Sequence, residues 1–144
     1  MDNKNILEVI ELLKGTSQFI NDSRANLCAP YGLSHIQAII ILDIYHNSFA
    51  TKITDICKRL NKTTNTISPL INRLISKGLI YKTQNKQDNR VFEVFLTEEG
   101  QKMMEKINKD VIKFAEPLFA SLKDDEYENL KTSLEVLSKV CGLN

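Results

Sequence analysis

The sequence predicts a mostly α-helical protein that carries one small β-hairpin. Apolar residues recur three and four positions apart along most of the chain, which is the spacing of amphipathic helices. Between these segments, LIYKTQNKQDNRVFEVFL places two runs rich in β-branched and aromatic residues around a wholly polar tip. Lys and Arg are concentrated in the same part of the chain as the hairpin. These observations favour a helical scaffold that presents a basic module.

The length and composition favour a single soluble domain covering residues 1–144. The chain is 42% hydrophobic and 26% charged, which is typical of globular proteins. Its longest apolar run, Ala38 to Leu42, is far shorter than the roughly 20 residues that span a bilayer. The N-terminus has charges inside its apolar pattern, unlike a secretory signal peptide. We therefore expect a cytoplasmic protein with no membrane partner.

The cysteine and histidine content predicts neither a disulfide framework nor a metal centre. The cysteines form no CxxC motif, and neither histidine has a cysteine within four residues. The residues concerned are Cys28, Cys57, Cys141, His35 and His46. We therefore expect a reducing compartment, no metal and no cofactor.

Capping residues mark the helices of the N-terminal half. A first amphipathic helix runs toward Leu27 and is broken by APYG at 29–32. Ser34, three residues before Gln37, predicts a capping box that opens the next helix. After a connection, HNSFAT, we expect Thr51 to cap a short helix, KITDICKRL.

The segment TNTISPLINRLISK predicts another helix after a tight turn, NKT. Thr63 is placed to cap this helix, and Gly78 is placed to end it. Pro69 falls near the sixth helical position, where it forfeits one backbone hydrogen bond. The inner face is an apolar stripe of Ile67, Leu70, Ile71, Leu74 and Ile75. The opposite face carries small polar side chains.

Two antiparallel strands, LIYKT and VFEVFL, and two long helices complete the chain. We expect Thr97 to cap the first long helix, which begins with two glutamates at its positive end. The last helix starts at Asp124 or Asp125 and ends at Gly142. The two apolar stripes are Met103, Ile107, Val111, Phe114 and Leu118, and then Leu130, Leu134, Leu137 and Cys141.

Positive charge is concentrated in the middle of a nearly neutral chain. The whole protein has a net charge of +1, but residues 51–90 hold nine Lys or Arg and two Asp, a net charge of +7. The flanking residues 1–50 and 91–144 carry −2 and −4. A concentrated basic patch is the electrostatic signature of phosphate binding. A solvated basic face is the simpler alternative, which charge alone would favour.

Two short helices, a tight turn and a hairpin predict a winged helix-turn-helix over about residues 34–97. The second helix of such a unit fits the major groove, where small polar side chains read base edges. Caps and nearby cations can contact phosphates. The candidate contacts with double-stranded DNA are Thr63, Asn65, Thr66, Ser68 and Asn72, together with Lys58, Arg59, Lys62 and Arg73. Plain solvent exposure is the alternative, but the charge and the hairpin together favour DNA.

Four motifs resemble the MarR family of bacterial transcriptional regulators. They are ITDICKRL, TNTISPLINRLISKGLI, the tip QDNR, and LTEEG directly after the second strand. The resemblance covers essentially the whole chain. It implies a homodimer built from helices in residues 1–30 and 98–144, with two winged lobes on a pseudo-palindromic operator. It also implies a repressor that a small-molecule or oxidant signal releases.

The hairpin tip matches the family's Asp-x-Arg pattern at Asp88 and Arg90. The resemblance implies that Arg90 enters the minor groove, whose negative potential attracts a guanidinium, while Asp88 holds it in place. Lys86 is a further candidate contact. The middle residue, often a second Arg in the family, is Asn89, so one cation is missing. An ordinary Asp-Asn turn is the alternative for Asp88, but it leaves Arg90 unexplained.

The sequence gives only weak indications of which residues would sense a signal. Cys28, beside a break in the helical pattern, is the candidate for oxidation, although no charged neighbour favours its thiolate. Cys57 and Cys141 are expected to be packed thiols. His35 is expected at the surface of a helix start, with an effector cleft as the alternative.

A winged-helix module for protein interaction is the alternative to a DNA-binding regulator. In that case the basic patch would face an acidic partner, but such an interface would more often expose aromatic anchors. We do not expect an enzyme, because no Ser-His, Cys-His or Gly-rich phosphate motif occurs at a recognisable spacing.

Overall fold

The structure, a computed structural model, describes residues 2–142 as six α-helices and three short β-strands. The helices are α1 (Asn3–Cys28), α2 (His35–His46), α3 (Ile53–Arg59), α4 (Thr64–Ser76), α5 (Glu98–Phe119) and α6 (Asp124–Val140). The strands are β1 (Ala50–Lys52), β2 (Ile80–Gln84) and β3 (Phe92–Leu96). This arrangement confirms the predicted winged helix-turn-helix flanked by N- and C-terminal helices.

A sharp bend separates α1 from α2 at the predicted APYG break. Ala29–Tyr31 form a short 3-10 turn, and Gly32 follows with a left-handed φ of 69°. Its amide donates a hydrogen bond to the Ala29 carbonyl at 2.9 Å. Within residues 2–142, no single helix could cross a membrane by length and apolarity, and the segments Asn3–Tyr31 and His35–His46 pass that test only as a pair bent by 89°.

Side-chain caps fix the starts of α2 and α4 as predicted. Ser34 Oγ accepts a hydrogen bond from the Gln37 amide at 3.3 Å, and Gln37 Oε1 accepts one from the Ser34 amide at 3.0 Å. Both arms of the capping box are therefore present. At α4, Thr63 Oγ1 accepts a hydrogen bond from the Thr66 amide at 3.4 Å.

The strand β1 is a third strand that the sequence does not predict, and it corrects the role given to Thr51. Instead of capping α3, Thr51 lies in β1 opposite Val94 of the antiparallel neighbour β3. Lys52 precedes α3, and its side chain makes no cap hydrogen bond. The sheet order is β1-β3-β2, so the second strand of the hairpin is the central one.

One hydrophobic core holds α4 against the rest of the winged unit. Ile67, Ile71 and Leu74 are buried, and Leu70 and Ile75 pack half-buried against the same cluster. The other buried side chains of this unit include Ile40, Ile41, Ile44, Ile56, Leu79, Ile80, Val94 and Leu96. Because apolar burial fixes the inner stripe, it also directs the polar face of α4 outward.

Left-handed residues bracket α4. Asn61, in the turn between α3 and α4, has a φ of 50°, which Asn tolerates better than most side chains. Gly78 follows α4 with a φ of 72°, as expected for a helix stop. The Leu79 amide then donates a hydrogen bond to the Leu74 carbonyl at 3.1 Å. The turn chemistry therefore limits α4 to its 13 residues.

Hydrogen bonds from Thr97, which precedes α5, join the start of α5 to the residues that follow α4. Thr97 Oγ1 accepts a hydrogen bond from the Gly100 amide at 3.0 Å, which confirms the predicted cap. The same hydroxyl donates to the Gly78 carbonyl at 2.6 Å, and the Thr97 amide donates to the Leu79 carbonyl at 3.0 Å. Farther along α5, Met104 is the fully buried methionine, whereas Met103 is only partly buried.

The described residues form two compact units, one up to Asn108 and the other from Lys109 onward. The first holds α1 to α4, the sheet and the start of α5. The second holds the remainder of α5 and α6. As predicted, α6 begins at Asp124, and Gly142 follows it with a left-handed φ of 67°.

Candidate nucleic-acid interface

The polar face of α4 lies in solvent. Asn65, Ser68 and Asn72 are spaced three and four residues apart and therefore share one side of the helix. Ser68 is half-buried, whereas the other candidates in and just before α4 are exposed: Lys62, Thr63, Asn65, Thr66, Asn72 and Arg73. The structure thus brings the predicted residues of α4 together on one exposed surface.

The first turn of α4 is organised by two threonine hydroxyls. Thr63 Oγ1 lies 3.1 Å from Thr66 Oγ1 and also accepts from the Thr66 amide. The hydroxyl of Thr66 is therefore directed to the cap, which leaves Asn65 as the less constrained amide donor and acceptor at this end. A helix start with exposed polar groups favours contact with a phosphate.

Side chains of the hairpin itself order the hairpin tip, residues 84–91. Asn85 Oδ1 accepts hydrogen bonds from the amides of Gln87 at 2.8 Å and Asp88 at 3.1 Å. Gln84 Nε2 donates to the Asn89 carbonyl at 2.6 Å. The sequence interpretation missed Gln84 and Asn85, although Asn at the first position of a turn is a recognised signal.

Asp88 contacts Arg90 through the backbone. Asp88 Oδ1 accepts a hydrogen bond from the Arg90 amide at 2.9 Å, and the Val91 amide donates to the Asp88 carbonyl at 3.0 Å. Asp88 therefore fixes the backbone from which the Arg90 side chain projects. Both Arg90 and Lys86 are exposed at this tip.

Arg59 is a cation of the basic module whose guanidinium is paired with neighbouring side chains, although its own side chain is 39% exposed. Its Nε and Nη2 donate to the two carboxylate oxygens of Asp43, both at 2.7 Å, and Nη2 also donates to Thr51 Oγ1 at 2.6 Å. The hydrogen bond to Asp43 raises the pKa of Arg59 further above its ordinary value. These contacts argue against the expectation that Arg59 binds a phosphate.

The cysteines lie in three different environments. Cys28 is only 1% exposed, and burial raises the pKa of its thiol, which disfavours the reactive thiolate. Contrary to the sequence-based expectation, Arg24 is a charged neighbour that favours the thiolate, but its effect on the pKa is smaller than that of burial. The burial of Cys28 therefore argues against the expectation that it is the oxidant sensor. Cys57 is half-buried, with Sγ 3.9 Å from Thr64 Oγ1. Cys141 is exposed, so it does not pack within the chain as the predicted apolar stripe of the last helix requires.

His35 is half-buried rather than at the surface. Among the residues that the structure describes, its Nδ1 atom is buried without a hydrogen-bond partner. Between residues 2 and 142, no group of three or more His, Cys, Asp or Glu side chains is arranged to hold a metal ion. The effector cleft suggested as an alternative for His35 stays a prediction.

Comparison with known proteins assigns this architecture to regulators of transcription. Residues 25–107 match the family model described as transcriptional regulator SarA/Rot, which is more than half of the chain. The HTH-type transcriptional regulator YdgJ of Bacillus subtilis is 23% identical over 92% of this chain and 77% of its own. A second such regulator from the same organism, YwoH, is 35% identical over 51% of this chain and 53% of its own.

Solved structures show the same fold. A MarR transcriptional regulator from Methanosarcina mazei superposes with a TM-score of 0.80 at 23% identity, covering 98% of each chain. A mutant MarR from E. coli complexed with operator DNA superposes with a TM-score of 0.76 at 21% identity, covering 95% of this chain and 99% of that one. The S. aureus MepR–DNA complex superposes with a TM-score of 0.74 at 25% identity, covering 92% of this chain and 97% of that one.

These relatives are regulators rather than enzymes, and they confirm the resemblance to MarR-type proteins. The exposed polar face of α4, the ordered wing tip and the basic module fit the same function. The chain belongs to the SarA/Rot family of transcriptional regulators and has the winged helix-turn-helix fold of MarR proteins.

Proposed function

We propose that this DNA-binding regulator represses transcription from the cytoplasm as a homodimer on a pseudo-palindromic operator. The observation that carries the proposal is that the basic module, residues 51–90, exposes both the polar face of α4 and Arg90 at the hairpin tip. Residues 51–90 supply its net charge of +7. Because each lobe carries two separate reading elements, it fits one half-site of double-stranded DNA.

In this proposal α4 occupies the major groove. Asn65 and Asn72 offer amides that can bond bidentately to adenine, and Ser68 adds a compact hydroxyl between them. Lys62 and Arg73 are exposed on the same helix region and neutralise phosphates. Thr63 and Thr66, at the start of the helix, approach the phosphate backbone of the DNA. These roles separate contacts that select a sequence from contacts that hold the protein on any duplex.

The base-reading role of Asn65 can be tested by selecting bound sequences from a random duplex library. Asn65→Ala is expected to change the preferred base at one position per half-site. Binding to the original operator should weaken by about 30-fold or more, because the proposed dimer loses two base contacts of at least about 1 kcal/mol each. Ser76→Ala, on the same helix but at its far end, is the matched control and should recover the wild-type motif. An Asn65→Ala motif identical to the wild-type motif would remove this residue from the interface.

Exposed apolar side chains on the terminal helices support the homodimer. Ile6 and Ile10 of α1 are 38% and 50% exposed, and Leu130 and Leu134 of α6 are 41% and 52% exposed. Within the second unit, α6 and Phe119 line an apolar groove of about 380 Å³. Large apolar surfaces of this kind are rarely left in water. A second copy of the chain would cover them and set the two α4 helices at adjacent half-sites, about 34 Å apart.

We expect sedimentation at micromolar concentration to give twice the 16.4 kDa mass of one chain. Leu134→Asp places a charge on the apolar face of α6 and should weaken the dimer by at least about 2 kcal/mol. Ser76→Asp adds the same charge to an exposed position on α4 and should leave the mass unchanged. A wild-type protein that sediments as a single chain would refute the homodimer.

We further propose that a small-molecule or oxidant signal releases the regulator from DNA. The burial of Cys28 favours a small molecule over oxidation at that site. Repeating the selection of bound genomic DNA with oxidants and with candidate phenolic ligands would identify the signal as the condition that removes the bound sites. Sites that persist under every condition would argue against a releasable repressor.

A further inference from the structure

A single side-chain cluster ties α2, β1 and α3 together. It consists of Asp43 in α2, Thr51 in β1 and Arg59 at the end of α3, and it is called the Arg59 cluster below. Three hydrogen bonds of 2.6–2.7 Å join these residues. The Asp43 side chain is 11% exposed and that of Arg59 is 39% exposed. The carboxylate therefore lies largely out of solvent and depends on Arg59 for its charge pairing.

The helix that carries Arg59 is short, and Ile53, Ile56 and Cys57 pack its inner side against the core, whereas its C-terminal end is tied to α2 and β1 by Arg59. It spans only Ile53–Arg59, and Ile56 is its one fully buried residue. No side chain caps its start, and a helix of two turns is not stable by itself. Arg59 is its last residue, so the cluster anchors the helix at the end from which the chain turns into α4.

We propose that Arg59 is a positioning residue for α4 rather than a DNA contact, and that Asp43 acts on DNA recognition through it. The Arg59 cluster sets the end of α3, and hence the angle at which α4 meets the major groove. The inference rests on the proposed base-reading role of α4. On charge alone, Arg59 would be expected to contact the phosphates of DNA.

The geometry of the guanidinium separates these two roles. Three of its N–H donors are engaged, two of them in a bidentate pair with one carboxylate. A phosphate contact would be limited to the two N–H donors of Nη1 and would lie close to the negative charge of Asp43. Lysine lacks the planar fork, so Arg59→Lys keeps the charge but loses the bidentate geometry.

Replacing Asp43 gives opposite results under the two roles. If Arg59 binds phosphate, Asp43→Asn removes a competing negative charge and frees the guanidinium, so the affinity for every duplex rises. If Arg59 is a positioning residue, Asp43→Asn loosens the end of α3. Affinity for the operator should then fall at least about fivefold, the loss expected for one impaired base contact. Affinity for random duplex should stay the same or rise.

The specificity ratio, operator affinity over random-duplex affinity, is the readout. We expect Arg59→Lys and Arg59→Gln to lower this ratio to a similar extent. Lys58→Gln is the matched control, because Lys58 is exposed on the same helix. It removes one positive charge and should weaken operator and random duplex alike, leaving the ratio unchanged. The double variant Asp43→Asn/Arg59→Gln should lower the specificity ratio by no more than the single variant with the larger effect.

All affinities are to be measured by anisotropy below the unfolding transition of every variant, so that loss of folded protein does not enter the ratio. If Asp43→Asn does not fold, Thr51→Val removes one hydrogen bond of the cluster and should lower the ratio about threefold, within the range for a single bond. A rise or no change in operator affinity for Asp43→Asn, or wild-type behaviour of Arg59→Lys, would overturn the positioning role. A wild-type protein without an operator preference would instead refute the proposed function.

Discussion

Replacing Gly100 by Ala is expected to lower the free energy of unfolding by about 3 kcal/mol, the upper range for overpacking a core. Gly100 is buried in the first turn of α5, where an added Cβ would overlap the carbonyl oxygen of Leu79 and lie 3.1 Å from its carbonyl carbon. That oxygen also accepts the Thr97 amide. Because the obstacle is backbone, the clash can be relieved only by moving α5 away from the start of β2.

The matched control for Gly100→Ala is the same substitution at Gly15. Gly15 lies within α1, and a Cβ there meets no atom of the chain within 4 Å. Gly15→Ala is therefore expected to stabilise the protein by about 0.5–1 kcal/mol, the difference in helix propensity. Urea unfolding followed by circular dichroism measures both effects. Equal stabilities for the two variants would show that α5 does not pack tightly on the Leu79 backbone.

Arg90→Ala should weaken operator binding about 100-fold at moderate salt without changing the unfolding temperature. Each copy of the proposed dimer loses one exposed cation, and two lost contacts of about 1–1.5 kcal/mol each give this factor. Folding should be unaffected, because Asp88 holds the Arg90 backbone amide rather than depending on the guanidinium. The slope of log affinity against log salt concentration should also become shallower by about 1.8.

The variant Asn89→Arg tests the wing in the opposite direction. Asn89 is exposed, and its carbonyl, rather than its side chain, accepts the bond from Gln84. Adding a cation here should tighten DNA binding and steepen the salt dependence. If neither Arg90→Ala nor Asn89→Arg changes the affinity or the slope, the hairpin tip does not contact DNA.

Local sequence signals were sufficient for the helices that carry the proposed interface. Ser34 with Gln37, Thr63 and Thr97 each act on amides within three residues, so their roles can be inferred from spacing alone. The stripe from Ile67 to Ile75 likewise fixes which side of α4 faces the core. For that reason the outward position of Asn65 and Asn72 is predictable before any tertiary contact is known.

Contacts between distant parts of the chain were not predictable in this way. β1 has only three residues and exists through pairing with β3, more than 40 positions later, so Thr51 resembles an N-cap when only its neighbours are considered. Arg59 resembles any other surface cation until Asp43, 16 residues earlier, is placed beside it. The burial of Cys28 similarly depends on packing at the end of α1 rather than on its own sequence neighbours.

The hydrogen bonds of Gln84, Asn85 and Asp88 at the hairpin tip have a thermodynamic consequence for association. A polar loop that is disordered in the free protein loses conformational entropy when it enters a groove, and this loss subtracts from affinity. Here the tip backbone is already constrained by its own side chains. Most of that entropy is therefore lost during folding, so an encounter with DNA has only to immobilise the long side chains of Lys86 and Arg90.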